Sequence, residues 1–344
     1  MGKKAMELLP VAMLSFEEFK KEVLENIREK LPEGDYEIRV HKVESPTRSY
    51  EGLAIFGTGE NIAPTINLSE IYSYSAAVGA NLGEAMDSIA DTYKFAKKPF
   101  IDLDINKLLD YESIREKVTV RLLNGERESA GLANSAHKKL GSFEAAYYIS
   151  VGEGEAAMTN KMLEKYGVSV EDIHDQAVRN VARINGVRLH NVAEIINPEY
   201  LFGGTLGDDY FDKKEPLEPG VMYALTSDVG GYGASLILNT ELMDKIADKC
   251  DGKMYVIPSS VHEVIIVRDN GAIDPEELDS VIQTINRDEV KPEEVLGERS
   301  MIYEKETHSL YYASEYAQGQ KIEALKDRSP DFQKMQSLGP ELIQ

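Results

Sequence analysis

The chain has 344 residues, 42% of them hydrophobic and 28% charged, a composition typical of soluble globular proteins and a length sufficient for two domains. Its 60 acidic and 38 basic residues give a formal net charge of −22 at pH 7. Repulsion from phosphates argues against nucleic acid and anionic membranes as partners, and it favours a basic protein partner.

Cys250 is the only cysteine, which excludes an internal disulfide framework and a zinc site built from several thiolates. No apolar run reaches the ~18 residues that a membrane-spanning helix needs. The opening MGKKAMELLPVAML is followed too soon by the charged SFEEFKKE to predict a secretory signal. The sequence predicts a cytoplasmic protein, and no dinucleotide, P-loop or zinc-protease pattern indicates a cofactor.

The first predicted block, residues 13–109, mixes helices and strands. Ser15 and Glu18 have the spacing of a capping box and open an amphipathic helix. Predicted strands follow at residues 36–43, 52–56 and 64–68, and a long helical region at 69–96. Gly79 and Gly83 weaken the middle of that region, so we expect two helices or a kinked one.

The second predicted block covers residues 110–196. Its predicted strands lie at residues 117–123, 145–151 and 155–159, and its predicted helices at 160–166 and 170–184, with Ser169 as the N-cap of the last. The polar stretch between the first two strands is predicted to be a mobile loop. It carries a local basic patch, with Arg127 and Lys138 as candidates for contact with an anion. The Gly/Pro-rich, acidic segment 197–219 is predicted to be a linker.

The third predicted block, residues 220–313, is rich in strands. A strand at 222–226 is expected to turn through Gly230–Gly233 into a second strand as a hairpin. A helix capped by Thr240, strands at 255–258 and 264–267 with a turn between them, and a helix opened by Asp274 complete the block. One core is predicted for the apolar residues of these elements: Leu236, Ile246, Val256, Ile257, Ile265 and Val267. Residues 314–344 are predicted to be a polar tail.

These patterns predict an α+β fold with mixed or antiparallel sheets, flanking amphipathic helices and two packed α+β blocks. The segments GYGASLILN, MYVIPSS and VHEVIIV, together with MLSFEEFKKEVLENI and PTINLSEIY, resemble an uncharacterised family of gut Clostridia and related Firmicutes. The resemblance covers about residues 13–313. It implies no assigned chemistry, so it transfers no catalytic residue.

Two groups of residues are candidates for chemistry. Ser259, Ser260, His262 and Glu263 offer a nucleophile, a base and an orienting carboxylate, which would suit a hydrolase. In a strand His262 and Glu263 would point to opposite faces, so the favoured interpretation is a turn capped by the two serines. The second group is the pair of aspartates in FIDLDIN, Asp102 and Asp104. These two carboxylates would either hold Mg²⁺ or lie on a solvated edge of the structure.

The glycine-rich turn is a third candidate, because Gly231 and Tyr232 there can contact a ligand. His174 is predicted to be exposed, since it lies off the apolar face of its helix. No candidate decides the function. The sequence favours a cytoplasmic accessory protein that binds a protein or small ligand without catalysis. A hydrolase and an acidic inhibitor that imitates DNA are the alternatives.

Overall fold

The computed structural model describes residues 7–44, 49–58, 63–97, 110–127, 131–151, 154–196, 209–228 and 231–325. The chain divides into two compact units, one of residues 1–106 with 150–155 and the other of residues 107–149 with 156–344. The described residues form three antiparallel sheets and several helices, which confirms the α+β prediction. The block boundaries predicted near residues 110, 197 and 220 stay a prediction.

The described residues of the first unit form a three-stranded sheet in the order β1-β2-β3 and three α-helices. The strands are β1 (Tyr36–Glu44), β2 (Ser49–Gly57) and β3 (Thr65–Asn67), and the helices are α1 (Phe16–Asn26), α2 (Leu68–Ala77) and α3 (Leu82–Lys97). Their apolar faces share one core, in which Phe19, Ile55 and Ile89 are fully buried.

Both sequence signals for helix ends in this unit are confirmed. Ser15 and Glu18 form a reciprocal capping box at the start of α1. The predicted long helical region is two helices, because the chain turns at Gly79, whose φ of +73° belongs to the left-handed region that favours glycine.

The second unit is built on a six-stranded antiparallel sheet in the order β13-β12-β10-β11-β9-β8. These strands are β8 (Arg188–Asn191), β9 (Met222–Thr226), β10 (Lys253–Ser260), β11 (Glu263–Arg268), β12 (Met301–Glu304) and β13 (Ser309–Tyr312). A smaller sheet, mostly of residues of the same unit, contains β4 (Val118–Asn124), β5 (His137–Leu140), β6 (Phe143–Val151) and β7 (Gly154–Ala157), with β6 between β4 and β5 and paired also with β7. Strand β5 lies in the stretch that the sequence predicts to be a mobile loop.

Seven helices of the described residues belong to the second unit: α4 (Tyr111–Ile114), α5 (Asn160–Tyr166), α6 (Val170–Asn185), α7 (Val192–Ile196), α8 (Thr240–Asp248), α9 (Pro275–Asp288) and α10 (Ala313–Ala317). Ser169 caps α6 with Asp172 in a capping box. Asp274 caps α9 by accepting hydrogen bonds from the backbone of Glu276 and Glu277. The N-cap of α8 is Asn239 rather than the predicted Thr240, because the Asn239 side chain accepts from Leu242 N.

The predicted hairpin through Gly230–Gly233 is wrong. Residues Gly233–Leu238 form a buried 3₁₀ helix, and β9 pairs with β8 and β11 instead. A short apolar run such as ASLIL fits a buried strand and a buried helical turn equally well by periodicity. The turn between β10 and β11 also differs from the prediction: it lies at Val261 and His262, and Ser259 and Ser260 belong to β10.

The predicted single core is wrong because the central strands are covered on both faces. One cluster contains Tyr255 and Ile302 together with three of the predicted core residues, Ile257, Ile265 and Val267. Val256 does not belong to this cluster. Two further residues assigned to the predicted core, Leu236 and Ile246, are fully buried outside this cluster. Successive side chains of a strand point to opposite faces, so Val256 lies on the other side of the sheet.

Candidate functional site

A cavity of about 480 Å³, here called the polar cavity, lies within the second unit. Four separate parts of that unit supply its wall: β5, one face of α6, the chain from Ile237 to Glu241 at the start of α8, and the β12–β13 turn with the segment near Glu323. Its volume is in the range of sites that hold small organic ligands.

Helix α6 presents two faces of different character. Its apolar face, with Ile173, Ala177 and Val181, is buried, and the helix packs on β4. The Asn180 side chain donates hydrogen bonds to Arg115 O at 2.7 Å and Val118 O at 2.9 Å, which ties the helix to the start of that strand. Four residues of α6 next to this apolar face line the polar cavity: His174, Asp175, Val178 and Arg179.

His174 is half-buried, so its predicted exposure is wrong. Its Nδ1 lies 2.7 Å from the hydroxyl oxygen of Tyr147, and the two rings meet edge to face. Tyr147 stands on β6 and is fully buried. The hydrogen bond draws the imidazole toward the sheet, which periodicity along α6 alone does not predict.

A network of Asp244, Tyr303 and His308 joins α8 to the β12–β13 turn. The Tyr303 hydroxyl donates to Asp244 Oδ1 at 2.7 Å, and His308 Nδ1 lies 2.9 Å from Asp244 Oδ2. Burial, followed by the hydrogen bond to the carboxylate, raises the pKa of Tyr303 above its ordinary value. The phenol therefore stays protonated and donates, while Asp244 accepts from both neighbours.

His308 has an unusual backbone conformation. Its φ is +51°, in the left-handed region, immediately after the 3₁₀ turn Lys305–Thr307. A non-glycine residue there costs about 1–2 kcal/mol relative to ordinary conformations. The bond between the imidazole and Asp244 offsets part of that cost and fixes the ring. Tyr303 and His308 both belong to the wall of the polar cavity.

The wall of the polar cavity contains charges of both signs. Lys138 and Arg179 are the cations, and Asp175, Glu241 and Glu323 are the carboxylates. Arg179 Nη2 donates to Gln176 Oε1 at 3.2 Å, which holds the guanidinium on the surface of α6. Because the signs are mixed, the wall suits an uncharged or zwitterionic molecule better than a strongly anionic one.

Four of the sequence candidates meet at a second place, the contact between the β10–β11 turn and residues 231–233. Tyr232 N donates to His262 Nδ1 at 3.2 Å, and His262 N donates to Ser260 Oγ at 3.1 Å. Gly231 N donates to Ser227 Oγ at 3.3 Å. The first of these bonds joins one turn to the other. Because Nδ1 of His262 accepts it, Nε2 of the neutral ring carries the hydrogen and has no lone pair to take a proton from a serine hydroxyl.

The ring of Tyr232 also packs against the guanidinium of an arginine. The guanidinium carbon of Arg121 lies 3.5 Å from the centre of the Tyr232 ring and 3.9 Å from that of Tyr148. Next to Tyr232, Gly233 N donates to His262 O at 2.9 Å. A Cβ at Gly233 would lie only 2.6 Å from that same oxygen. The contact is thus a packed junction of β4, β6 and the two turns, and it favours a structural role for Tyr232 and His262.

The remaining candidates are distributed over several places in the structure. Lys138 is in the wall of the polar cavity, whereas Arg127 donates to Pro292 O at 2.8 Å and pairs with Glu298 at 3.5 Å. Ser259 is in β10 and Glu263 begins β11, where it pairs with Ser260 in the strand register. The metal candidates Asp102 and Asp104 lie outside the described residues. Among the residues that are described, no group of three or more His, Cys, Asp and Glu side chains is placed to hold a metal ion.

Comparison with known proteins places the chain in a family. The sequence profile of a family of unknown function, DUF5688, matches residues 16–305. The chain belongs to this family. No curated protein and no solved structure matches it. The family assignment confirms the resemblance to an uncharacterised family. In the described part of this DUF5688 chain, every helix is too short or too polar to cross a membrane.

Apart from Lys138, sequence reasoning missed the residues that form the polar cavity. Asp244 and His308 belong to separate elements, and no local motif connects them. Only the tertiary contact between α8 and the β12–β13 turn brings them together. One local signal was available, namely a histidine at the end of the short polar turn KETH between two strands, a position where glycine or asparagine is the usual residue.

Proposed function

We propose that this protein binds a small polar organic molecule in the polar cavity. The observation that carries the proposal is the convergence of polar side chains from four separate segments on one concave space of about 480 Å³. Ligand sites combine an apolar lining with a few fixed polar groups, and the wall has both kinds. Leu140, Val178 and Leu310 supply apolar surface, and Tyr303 and His308 supply polar groups.

Some polar side chains of the wall are held in place by hydrogen bonds, which is typical of a ligand site and not of an accidental gap in the packing. Asp244 holds His308 by a 2.9 Å contact and Tyr303 by a 2.7 Å hydrogen bond. Side chains that are already ordered lose little entropy when a ligand arrives, so their contacts contribute more to affinity. The mixed charges favour an uncharged or zwitterionic ligand. A cytoplasmic location is part of the proposal and rests on the sequence.

Thermal unfolding with a panel of sugars, amino acids, nucleosides and small esters tests the proposal. A ligand at one hundred times its Kd stabilises the native state by about 2.7 kcal/mol, which raises Tm by roughly 5–10 °C for a unit of this size. Val178→Phe fills the wall from α6 and should abolish the rise. Val170→Phe is the matched control, because Val170 is also half-buried on α6 but lies outside the wall.

The result expected is a rise in Tm for at least one compound with the wild type and Val170→Phe, and none with Val178→Phe. Equal rises in all three proteins would place the binding elsewhere. The absence of any rise across the panel would contradict the proposal.

A further inference from the structure

We propose that His308 is a general base in the polar cavity and activates water for the hydrolysis of small, uncharged carboxylic esters. This inference rests on the proposed function, since it assumes that the substrate occupies the same cavity. It adds a reaction to binding, and it assigns the reaction to residues other than the serines of the β10–β11 turn.

The contact with Asp244 determines which nitrogen of His308 is available. A carboxylate only accepts hydrogen bonds, so the ring nitrogen facing it, Nδ1, carries the hydrogen. In the neutral ring, Nε2 then has the free lone pair. A histidine oriented in this way by a carboxylate accepts a proton at Nε2 and is stabilised by the carboxylate once it is charged.

The conformation of His308 is a second, independent observation. Its φ of +51° is one of three positive values among the described non-glycine residues, and it occurs in a turn that glycine would form without strain. Non-glycine residues held in such conformations cluster at functional sites. The side chain is 56% exposed and belongs to the cavity wall, so water and substrate can reach it.

The reaction proceeds in two steps. A water oxygen forms a bond to the ester carbonyl carbon while the water proton moves to Nε2 of His308, and the carbonyl π electrons move to its oxygen. The tetrahedral intermediate then collapses: the bond to the alcohol oxygen breaks, and that oxygen takes the proton from Nε2. The products are a carboxylic acid and an alcohol, and the imidazole returns to its neutral form.

The charges in the wall select the substrate class. Lys138 and Arg179 are the positive charges of the wall. Positive charge in a site stabilises a carbonyl oxygen as it becomes negative. The three carboxylates Asp175, Glu241 and Glu323 repel phosphate esters and other anionic substrates. They also repel the carboxylate product, which favours its release. An uncharged ester is the class that satisfies both conditions.

The test uses the full chain with p-nitrophenyl acetate and p-nitrophenyl butyrate. His308→Gly is the decisive variant, because glycine adopts the φ of that turn without strain and the fold is kept. We expect kcat/KM to fall about 100-fold or more, with Tm unchanged or higher. Asp244→Asn tests the positioning role of Asp244. Its kcat should fall about tenfold with little change in KM, and the pH profile of its kcat should differ from that of the wild type. His41→Gln, an exposed histidine of the first unit, is the control and should keep the wild-type rate.

Two results would overturn the inference. One is a wild-type rate no higher than that of free imidazole at the same concentration, and the other is a wild-type rate in His308→Gly. Val178→Phe separates this failure from failure of the proposed function. If Val178→Phe loses hydrolysis and His308→Gly keeps it, the polar cavity is the binding site but His308 is not the base. Full hydrolysis in both variants would remove the polar cavity as well.

Discussion

Truncation of Ile266 to alanine is expected to destabilise the second unit strongly. Ile266 is fully buried in β11, between Val256 of β10 and Tyr223 of β9. The substitution removes three carbon groups, each worth about 0.8 kcal/mol of transfer free energy, or about 2.4 kcal/mol in all. The cavity that remains between two paired strands adds to this, so the expected loss is about 3–4 kcal/mol.

Its neighbour Ile265 is the matched control. This side chain lies on the opposite face and is only half-buried, so Ile265→Ala should cost about 1–2 kcal/mol. Urea denaturation followed by far-UV circular dichroism measures the free energy of unfolding of both variants. Their midpoints can be compared directly if the m-values are equal. Equal losses for the two variants, or a loss below about 1 kcal/mol for Ile266→Ala, would refute the assignment of Ile266 to a fully buried position and of Ile265 to a half-buried one on the other face.

Two further predictions concern a thiol and a helix cap. Cys250 is 3% exposed, and burial raises its pKa to about 12, so the folded protein should not react with the thiol reagent DTNB at pH 8 and should react once unfolded in urea; rapid reaction of the folded protein would contradict this. Asn239→Ala should lower the free energy of unfolding by about 1 kcal/mol and Thr240→Ala by a few tenths, because Asn239 is the N-cap of α8; the reverse order in denaturation midpoints would show that Thr240 is the cap.

The sequence predicts helix starts well where the signal is local. Ser15 and Glu18 form the expected capping box, Ser169 is the expected N-cap of α6, and Asp274 caps α9. These predictions succeed because the atoms involved belong to consecutive residues. Thr240 is the exception: the neighbouring Asn239 offers an equivalent side-chain acceptor, and periodicity does not choose between adjacent caps.

Elements defined by distant partners were harder to predict. Strand β5 has only four residues, and its pairing with β6 gives it an extended conformation that its polar sequence does not specify. The buried 3₁₀ helix from Gly233 to Leu238 has a sequence that also fits a strand. In both cases tertiary contacts decide the local structure.

The candidate site shows the same limit. The sequence singled out Gly231, Tyr232, Ser260 and His262, and these residues do lie together, in two turns that the hydrogen bond from Tyr232 to His262 joins. The polar cavity was not predicted, because its wall depends on how α6, α8 and the β12–β13 turn pack. Of the candidate residues that the structure describes, Lys138 is the one in its wall.

Native mass spectrometry tests the central claim, that the polar cavity binds a small molecule, most directly. The wild type and Val178→Phe are each incubated with the same panel of sugars, amino acids, nucleosides and small esters and sprayed under conditions that keep complexes intact. The account predicts one added small molecule per wild-type chain and none on Val178→Phe. A bare wild-type mass with every compound, or the same adduct on both proteins, would contradict it.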